Sequence, residues 1–366
     1  MTLVDNDKML EYIHEEQKYA LHIFDNAETI CKDFADNYAS KNYGRVLIVA
    51  SGTSNNSGLT AKHFMEYVLK KPVQLFSSYD YAHYNKLFCP NDLVITVTQE
   101  GESTNTIDAI NVANEHNIDN YVVTENVDNT CTQLAKGKVT IDCDREYFGP
   151  KTKGYTCTVL TLYMMALEAA HKAASITQAE YEDLRERCKK SLSNINTIID
   201  ESEKWFEANK EELIACERAY VVGYGPHVGT ALEGALKSLE TVRYFYFSFE
   251  TEEFLHGPLA SVKPDVYTFI IAPKGQDYER SNALYTSMAE QNEHVFALGK
   301  QDNTTSKHVL AGSFTDDEYM SVFEYIVPLQ LLAYRTFKGK GIDLNVRNYP
   351  RTGAAVPTKA KALERK

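Results

Sequence analysis

The chain contains two copies of one sequence pattern. A short apolar run, RVLIVA, ends at Ala50 and enters a glycine turn at Gly52, and the run AYVVGYG enters a similar turn at Gly225, 173 positions later. The runs DLVITV and YTFIIA lead in the same way to Gly101 and Gly275, which are 174 positions apart. Two landmarks that repeat at nearly the same offset indicate an internal duplication. The sequence therefore predicts two related halves.

Each copy alternates short strands with helical segments. The first copy reads RVLIVA, then GLTAKHFMEYVLKK, then PVQLFSS. Short β-branched runs bounded by glycine and separated by helical patterns indicate βαβ units around a parallel sheet. We predict an α/β fold with two doubly wound, flavodoxin-like parallel sheets flanked by helices. The predicted boundaries are an N-terminal helix plus first domain (1–180), linker helices plus second domain (181–340) and a C-terminal tail (341–366).

Composition narrows the class of protein. The net charge of −13 argues against a nucleic-acid partner, because phosphate backbones attract clustered lysine and arginine. The seven cysteines show no C-x-x-C spacing and are typical of reduced thiols, not of a disulfide framework or a zinc site. No apolar run has the length of a membrane span, and the first residues lack a signal-peptide pattern. These features predict a cytoplasmic protein without a membrane partner.

Two turns of the first copy are rich in hydroxyl groups. They are SGTSNNSG (51–58) and TQEGESTNT (98–106), and each leads into a helix. Open α/β sheets bind ligands beyond the carboxyl ends of their strands, where hydroxyls and free helix N–H groups suit a phosphate. The matching turns of the second copy, GYGPHVG and PKGQD, lack serine and threonine. The sequence predicts an anion site in the first half only; the alternative is that these residues merely cap helices.

A charged helix face and a histidine form a second candidate feature. In EGALKSLE, Glu233, Lys237 and Glu240 are spaced i, i+4 and i+7, so they share one helix face. His256 follows in a Gly-Pro bend. A carboxylate and an imidazole are well suited to moving protons near neutral pH. The alternative interpretation is a solvated helix face and an ordinary turn histidine.

Taken together, these motifs resemble the tandem SIS (sugar isomerase) domain family, in particular the fructosamine-6-phosphate deglycases and the isomerase half of glucosamine-6-phosphate synthase. The resemblance covers roughly residues 30 to 351 and includes SGTSNNSG, TQEGES, KTKGYT, LEGALKSLE and LHGPLA. It implies that Glu240 is the carboxylate base and that His256 opens the sugar ring from the neighbouring subunit of a homodimer. It further implies a substrate-binding set of Thr53, Ser54, Thr98, Gln99, Ser103, Lys153, Arg347 and Arg351.

Two positions depart from the family pattern. Glu100 stands where the phosphate loop usually has a serine, and a carboxylate there would repel a phosphate. Either Glu100 points away while backbone N–H groups hold the anion, or the ligand differs from a plain sugar phosphate. Arg347 and Asn348 keep the arginine-asparagine pair of the synthase branch, but Arg351 takes the place of its Schiff-base lysine. A guanidinium stays protonated and cannot act as an amine nucleophile.

The C-terminal segment allows two interpretations. Residues 341–366 carry glycine, proline and charge with little periodicity, as expected of a frayed tail. The compact polar group formed by Arg347, Asn348 and Arg351 favours instead a tail that folds over a site. The chain begins Met-Thr-Leu without a glutaminase segment, and we expect no amino-group synthesis by that route.

The resemblance and these departures favour a deglycase. Such an enzyme cleaves a fructosamine (Amadori) 6-phosphate to an aldose 6-phosphate and a free amine or amino acid, and its substrate already carries the amine. A ketose/aldose phosphosugar isomerase and a non-catalytic sugar-phosphate sensor remain alternatives. We expect no cofactor and no metal, because the ten histidines show no H-x-x-x-H spacing.

Overall fold

A computed structural model describes residues 5–302, 304–346, 348–349 and 351–360. The chain divides into two compact units, each discontinuous in sequence. The sheet-1 unit comprises Tyr19–Tyr147, Lys153–Asp183 and Asn345–Lys366. The sheet-2 unit comprises Met1–Lys18, Phe148–Thr152 and Leu184–Leu344. The contiguous domain boundaries given above stay a prediction.

The sheet-1 unit is built on five parallel strands in the order β2-β1-β3-β4-β5. The central strands are buried on both faces, as their continuous apolar sequences require of a parallel sheet covered by helices. The strands are β1 (Arg45–Ala50), β2 (Val73–Ser77), β3 (Asp92–Val97), β4 (Asp119–Thr124) and β5 (Gly137–Thr140).

Helices flank this sheet, and a buried helix near the middle of the chain supports it. The helices are α1 (Lys8–Asp25, shared with the other unit), α2 (Ala27–Ile30), α3 (Lys32–Ala39), α4 (Thr53–Leu69), α5 (Thr104–Glu115), α6 (Thr130–Leu134) and α7 (Lys153–Lys172), with a π-helix at Asp80–Tyr84. Helix α7 is buried from Lys153 to Ala170, which fits its apolar sequence. It packs on α4, where the Thr60 and Tyr155 hydroxyls lie 2.7 Å apart and the rings of Phe64 and Tyr163 stack at 4.1 Å.

The sheet-2 unit repeats the architecture with five parallel strands in the order β10-β9-β8-β6-β7. Its strands are β6 (Arg218–Gly223), β7 (Phe245–Glu250), β8 (Tyr267–Ile271), β9 (Val295–Leu298) and β10 (Val309–Leu310). Its helices are α8 (Gln178–Ala208, which belongs to this unit from Leu184 onward), α9 (Lys210–Ala215), α10 (His227–Thr241), α11 (Thr251–Leu255), α12 (Tyr278–Ala289) and α13 (Val322–Gly339), with a 3₁₀ turn at Pro258–Ser261. The short α14 (Thr352–Ala355) belongs to the sheet-1 unit.

The strand order confirms the predicted fold class. In each sheet the second strand lies on one side of the first, and the third to fifth strands lie on the other. This is the doubly wound, flavodoxin-like order 2-1-3-4-5, in which the connections reverse direction beside the first strand. The switch points therefore lie between β1 and β3 and between β6 and β8. In the part of the chain that the structure describes, no helix combines the length and apolarity needed to cross a bilayer.

A glycine brings α10 close to α13 in the sheet-2 unit. A Cβ atom on Gly234 would lie 2.5 Å from Leu329 Cδ1 and 2.9 Å from Leu329 Cβ. Both distances are shorter than van der Waals contact, so any larger residue at this position requires the two helices to separate. The glycine of the LEGALKSLE motif thus sets the depth at which α10 sits against α13.

The close packing of α10 predicts the effect of adding one methyl group. We expect Gly234→Ala to destabilise the fold by about 1–3 kcal/mol, because overpacking a tight interface costs that much. Gly149→Ala is the matched control, since a Cβ there would meet no atom within 4 Å. Thermal unfolding followed by circular dichroism should show a lower midpoint for Gly234→Ala alone. Equal midpoints for the two variants would contradict the packing argument.

Candidate functional site

The turns that follow β1 and β3 lie at the switch point of the first sheet. Gly52 and Gly101 have φ angles of 60° and 68°, in the left-handed region that favours glycine. Glycine is also needed at position 101 because a Cβ there would lie 1.9 Å from the Asn129 side chain. Both turns lead directly into helices α4 and α5. Two helix N-termini thus follow neighbouring strands at one sheet edge, an arrangement suited to an anion.

The hydroxyls of these turns are not used to cap the helices. Ser54 is 8% exposed in the first turn of α4, and its hydroxyl makes no hydrogen bond to any residue that the structure describes. Ser103 is the N-cap residue of α5, yet its side chain makes no capping hydrogen bond. The Thr98 hydroxyl accepts the Gly101 N–H at 3.3 Å. The capping alternative therefore does not account for Ser54 and Ser103, and their hydroxyls can donate to a ligand.

Three further residues of the predicted substrate-binding set lie around these turns or at the start of α7. Thr53 opens α4, and its carbonyl accepts the Ser57 hydroxyl at 2.9 Å. Gln99 follows β3 and donates its amide to the Thr158 hydroxyl on α7 at 3.3 Å. Lys153 opens α7 with 1% exposure, and its ammonium lies 4.0 Å from the centre of the Tyr19 ring. That cation–π contact holds a buried charge in place.

The two carboxylates of the second turn have partners outside it. Arg145 Nη2 lies 2.5 Å from Glu100 Oε2, and Arg145 Nε donates to Oε1 at 3.3 Å. Glu102 accepts the Thr130 N–H at 3.2 Å and the Thr130 hydroxyl at 2.8 Å. Sequence reasoning did not identify Arg145, which lies 45 positions from Glu100. The pairing agrees with the alternative in which the Glu100 carboxylate points away from an anion.

Part of the C-terminal tail lies directly on the second turn. Residues 358–360 run antiparallel to residues 102–104, with a bridge between Ser103 and Lys359. Asn348 and Arg351 are exposed. Arg347, which belongs to the predicted substrate-binding set, lies outside the described residues. A frayed tail therefore does not describe residues 358–360.

In the sheet-2 unit, α10 carries a buried ion network that ends at Glu240. Lys237 is 1% exposed, and its ammonium lies 3.1 Å from Glu233 Oε1 and 2.6 Å from Glu240 Oε2. Burial alone lowers the pKa of Lys237, but the attraction of the two carboxylates outweighs it and the pKa is raised. The Glu240 side chain keeps 38% of its surface exposed, so a fixed cation orients a carboxylate that a ligand can reach.

His256 follows α11 and has a defined tautomer when neutral. Its Nδ1 lies 2.7 Å from the Glu252 carbonyl oxygen. Because a carbonyl oxygen only accepts, Nδ1 must carry the hydrogen, and Nε2 is left as the nitrogen that exchanges a proton. Within the described ranges no hydrogen bond joins His256 to Glu240. The role of His256 in a neighbouring subunit stays a prediction.

The switch point of the second sheet is acidic. A Cβ on Gly225 would lie 3.7 Å from Glu318 Oε1, and one on Gly275 would lie 3.6 Å from Glu318 Cβ, so Glu318 rests against both turns. Burial and the nearby charges of Asp277 and Asp317 raise the pKa of Glu318. Negative charge is therefore disfavoured at this switch point, in contrast to the hydroxyl-lined turns of the first sheet.

No cluster of three or more histidine, cysteine, aspartate or glutamate side chains suited to a metal ion occurs among residues 5–302, 304–346, 348–349 and 351–360. The seven cysteines are free thiols, and six of them are buried. Burial raises the pKa of the Cys131 thiol to about 12 and that of Cys216 to about 12, which keeps both thiols protonated. Neither feature points to metal binding or thiol catalysis.

A family model, described as the SIS domain, matches residues 38–172 and 212–335. The chain belongs to the SIS domain family. The first matched segment contains all strands of the first sheet and the second contains all strands of the second sheet, so the predicted tandem arrangement of SIS domains is confirmed.

Curated relatives and solved structures agree with this assignment. The chain is 28% identical to the glutamine–fructose-6-phosphate aminotransferase (isomerizing) of Thermococcus kodakarensis over 92% of the chain and 56% of that protein. The chain thus spans about half the length of the curated relatives it matches. A candidate phosphosugar isomerase from Clostridium difficile 630 superposes with a TM-score of 0.88 at 27% identity, covering 96% and 98% of the two chains.

A solved structure of lower sequence identity has a similar fold. The C-terminal domain of glucosamine-fructose-6-phosphate aminotransferase from Francisella tularensis superposes with a TM-score of 0.82 at 19% identity, covering 92% of this chain and 97% of that one. In this SIS protein, the sequence motifs did not indicate the Arg145–Glu100 pair or the contact of residues 358–360 with the second turn. Both missed contacts join segments far apart in sequence.

The ion network on α10 predicts a large cost of removing its cation. Lys237→Met should destabilise the fold by about 3–5 kcal/mol, because it removes the cation that lies 3.1 Å from the buried Glu233 carboxylate. Adding Glu233→Gln to Lys237→Met removes the buried negative charge as well and should recover part of the loss. Lys338→Met, at a solvent-exposed Lys338–Asp7 pair, is the control and should change the unfolding midpoint little. An unaltered midpoint for Lys237→Met would contradict a buried network.

Proposed function

We propose that the chain is a phosphosugar-processing enzyme, most specifically a deglycase that cleaves a fructosamine 6-phosphate to an aldose 6-phosphate and a free amine or amino acid. The observation that carries the proposal is the difference between the two switch points. One has serine hydroxyls that can donate to a ligand at two helix N-termini, whereas the other is lined by carboxyl groups. Membership of the SIS family and the names of its phosphosugar relatives support an anionic sugar as the ligand.

Side chains of this chain can supply the proton transfers of such a reaction. His256 Nε2 assists opening of the sugar ring, in keeping with the hydrogen on Nδ1. Glu240 removes a proton from carbon 1 of the amino-ketose, and protonation at carbon 2 gives the imine of an aldose. Water adds to the imine carbon and the carbon–nitrogen bond breaks, which releases the amine. The balance is one fructosamine 6-phosphate plus one water to one aldose 6-phosphate plus one amine.

The ion network supports Glu240 as the base. The buried Lys237 ammonium lies 2.6 Å from the Glu240 carboxylate, which fixes the position of that carboxylate. Arg351 supports a deglycase over amination through an enzyme Schiff base, because its guanidinium supplies no nucleophilic amine. A homodimer with shared active sites, as the family resemblance implies, is part of the proposal.

A ketose/aldose phosphosugar isomerase is the second candidate function. It is favoured by the 27% identical structure described as a candidate phosphosugar isomerase. The isomerase uses the same carboxylate and imidazole but releases no amine.

Incubation with fructoselysine 6-phosphate, fructoseaspartate 6-phosphate and fructose 6-phosphate, with amine and aldose measured separately, distinguishes the deglycase from the isomerase. Amine release supports the deglycase, aldose formation from fructose 6-phosphate alone supports the isomerase, and binding without turnover supports a sensor.

The proposed base predicts a specific kinetic change. Glu240→Gln keeps the shape of the side chain but removes the proton acceptor, so it should lower kcat about 10²–10⁴-fold and leave KM nearly unchanged. Glu186→Gln makes the same chemical change at an exposed position of α8 and should leave kcat at the wild-type value. Wild-type turnover in Glu240→Gln would remove Glu240 from the mechanism.

The ion pair beside the second turn predicts a change in substrate affinity. Arg145→Met removes the cation paired with the Glu100 carboxylate beside the proposed phosphate, so KM for the phosphorylated substrate should rise about fivefold through repulsion of order 1 kcal/mol. Adding Glu100→Ser removes the carboxylate and should restore KM. Arg218→Met, in the exposed Arg218–Asp265 pair of the sheet-2 unit, is the matched control. If Arg145→Met raised KM and Glu100→Ser gave no rescue, repulsion by Glu100 would not be the cause.

A further inference from the structure

A short piece of the C-terminal tail is hydrogen-bonded to the turn that leads into α5. We call residues 358–360 the tail strap. The Thr104 N–H donates to the Thr358 carbonyl at 3.1 Å, and the Ala360 N–H donates to the Glu102 carbonyl at 2.8 Å. These bonds flank the antiparallel bridge between Ser103 and Lys359. The strap is therefore held by backbone bonds on both sides of Ser103.

The strap delivers a cation to a hydroxyl of the turn. Lys359 Nζ lies 3.3 Å from Ser103 Oγ. An ammonium group only donates, so the Ser103 oxygen accepts this bond and its own hydrogen remains available to an acceptor. An anion that accepts the Ser103 hydrogen would thus lie within a few ångströms of the Lys359 charge. Hydrogen bonds supported by a full charge are the stronger class.

The charge of the turn itself makes such a cation necessary. Residues 98–106 contain two glutamates and no lysine or arginine. Arg145 reaches Glu100, so its charge is directed at that carboxylate. The first amide of α5, on Thr104, is already bonded to the strap and cannot also serve an anion. Lys359 therefore brings to this turn a positive charge that residues 98–106 do not themselves contain.

We propose that Lys359 is a binding residue for the phosphate group of the substrate, placed by the tail strap beside Ser103. This inference rests on the proposed function, because it assigns Lys359 to the anion site of the same phosphosugar enzyme. The strap occupies the Thr104 N–H, the first amide of α5, and places the positive charge of Lys359 at the same turn. Lys359 lies eight positions beyond Arg351, outside the motifs that carried the family resemblance.

Calorimetric titration with inorganic phosphate and with fructose 6-phosphate tests the proposal on the full chain. Lys359→Met should weaken binding of both about tenfold, as expected for the loss of a charged hydrogen bond. Lys359→Arg keeps the cation and should retain most of the affinity. Lys71→Met is the matched control: this partly exposed lysine precedes β2, at the opposite sheet edge, and contacts Asn42. Its affinity should equal that of the wild type.

A second variant separates the strap from the charge. Ala360→Pro removes the N–H that bonds to the Glu102 carbonyl but keeps Lys359, and it should also weaken phosphate binding if the strap positions the lysine. Phosphate affinity that is unchanged in Lys359→Met would overturn the assignment of Lys359 while leaving the anion site intact. Failure of the wild type to bind either phosphate compound would overturn the anion site and the Lys359 assignment together. Amine release, measured separately, reports on the deglycase itself.

Discussion

The order of strands in a parallel sheet decides where this protein can bind a ligand. All strands of such a sheet end at one edge, and in each half the connections leave the first strand in opposite directions. Sheets with this order bind ligands beside the first strand, here beside β1 and beside β6, where the following helices begin. The candidate residues of the two turns in the first half, from Thr53 to Ser103, owe their positions to this arrangement.

The two copies of the fold present opposite electrostatic environments at the same topological point. The first sheet places hydroxyl groups at its switch point, and the carboxylates of its turn pair with Arg145 and Thr130. The second places Glu318 against both of its turns, with a pKa raised by burial and by neighbouring acids. The two halves thus share the strand order but differ in the side chains at their switch points. The catalytic candidates of the second half lie elsewhere, on α10 and after α11.

Much of this could be predicted from the sequence, because the informative patterns are local. The alternation of strands and helices predicts a doubly wound parallel sheet. The spacing of Glu233, Lys237 and Glu240 places them on one helix face. Contacts between distant segments leave no such signal. Lys359 and Ser103 lie 256 positions apart, and nothing in the spacing of either residue indicates the other. The depth of Lys237 likewise depends on how α10 packs on α13, which only the tertiary structure specifies.

The central claim is that an anion binds at the switch point of the first sheet and not at that of the second. A crystal soaked in arsenate, whose arsenic atom scatters anomalously, tests it directly. We expect an anomalous peak within hydrogen-bonding distance of the Ser54 and Ser103 hydroxyls, with Lys359 Nζ among its neighbours. A peak at the turns of Gly225 and Gly275, or none at either switch point, would contradict it.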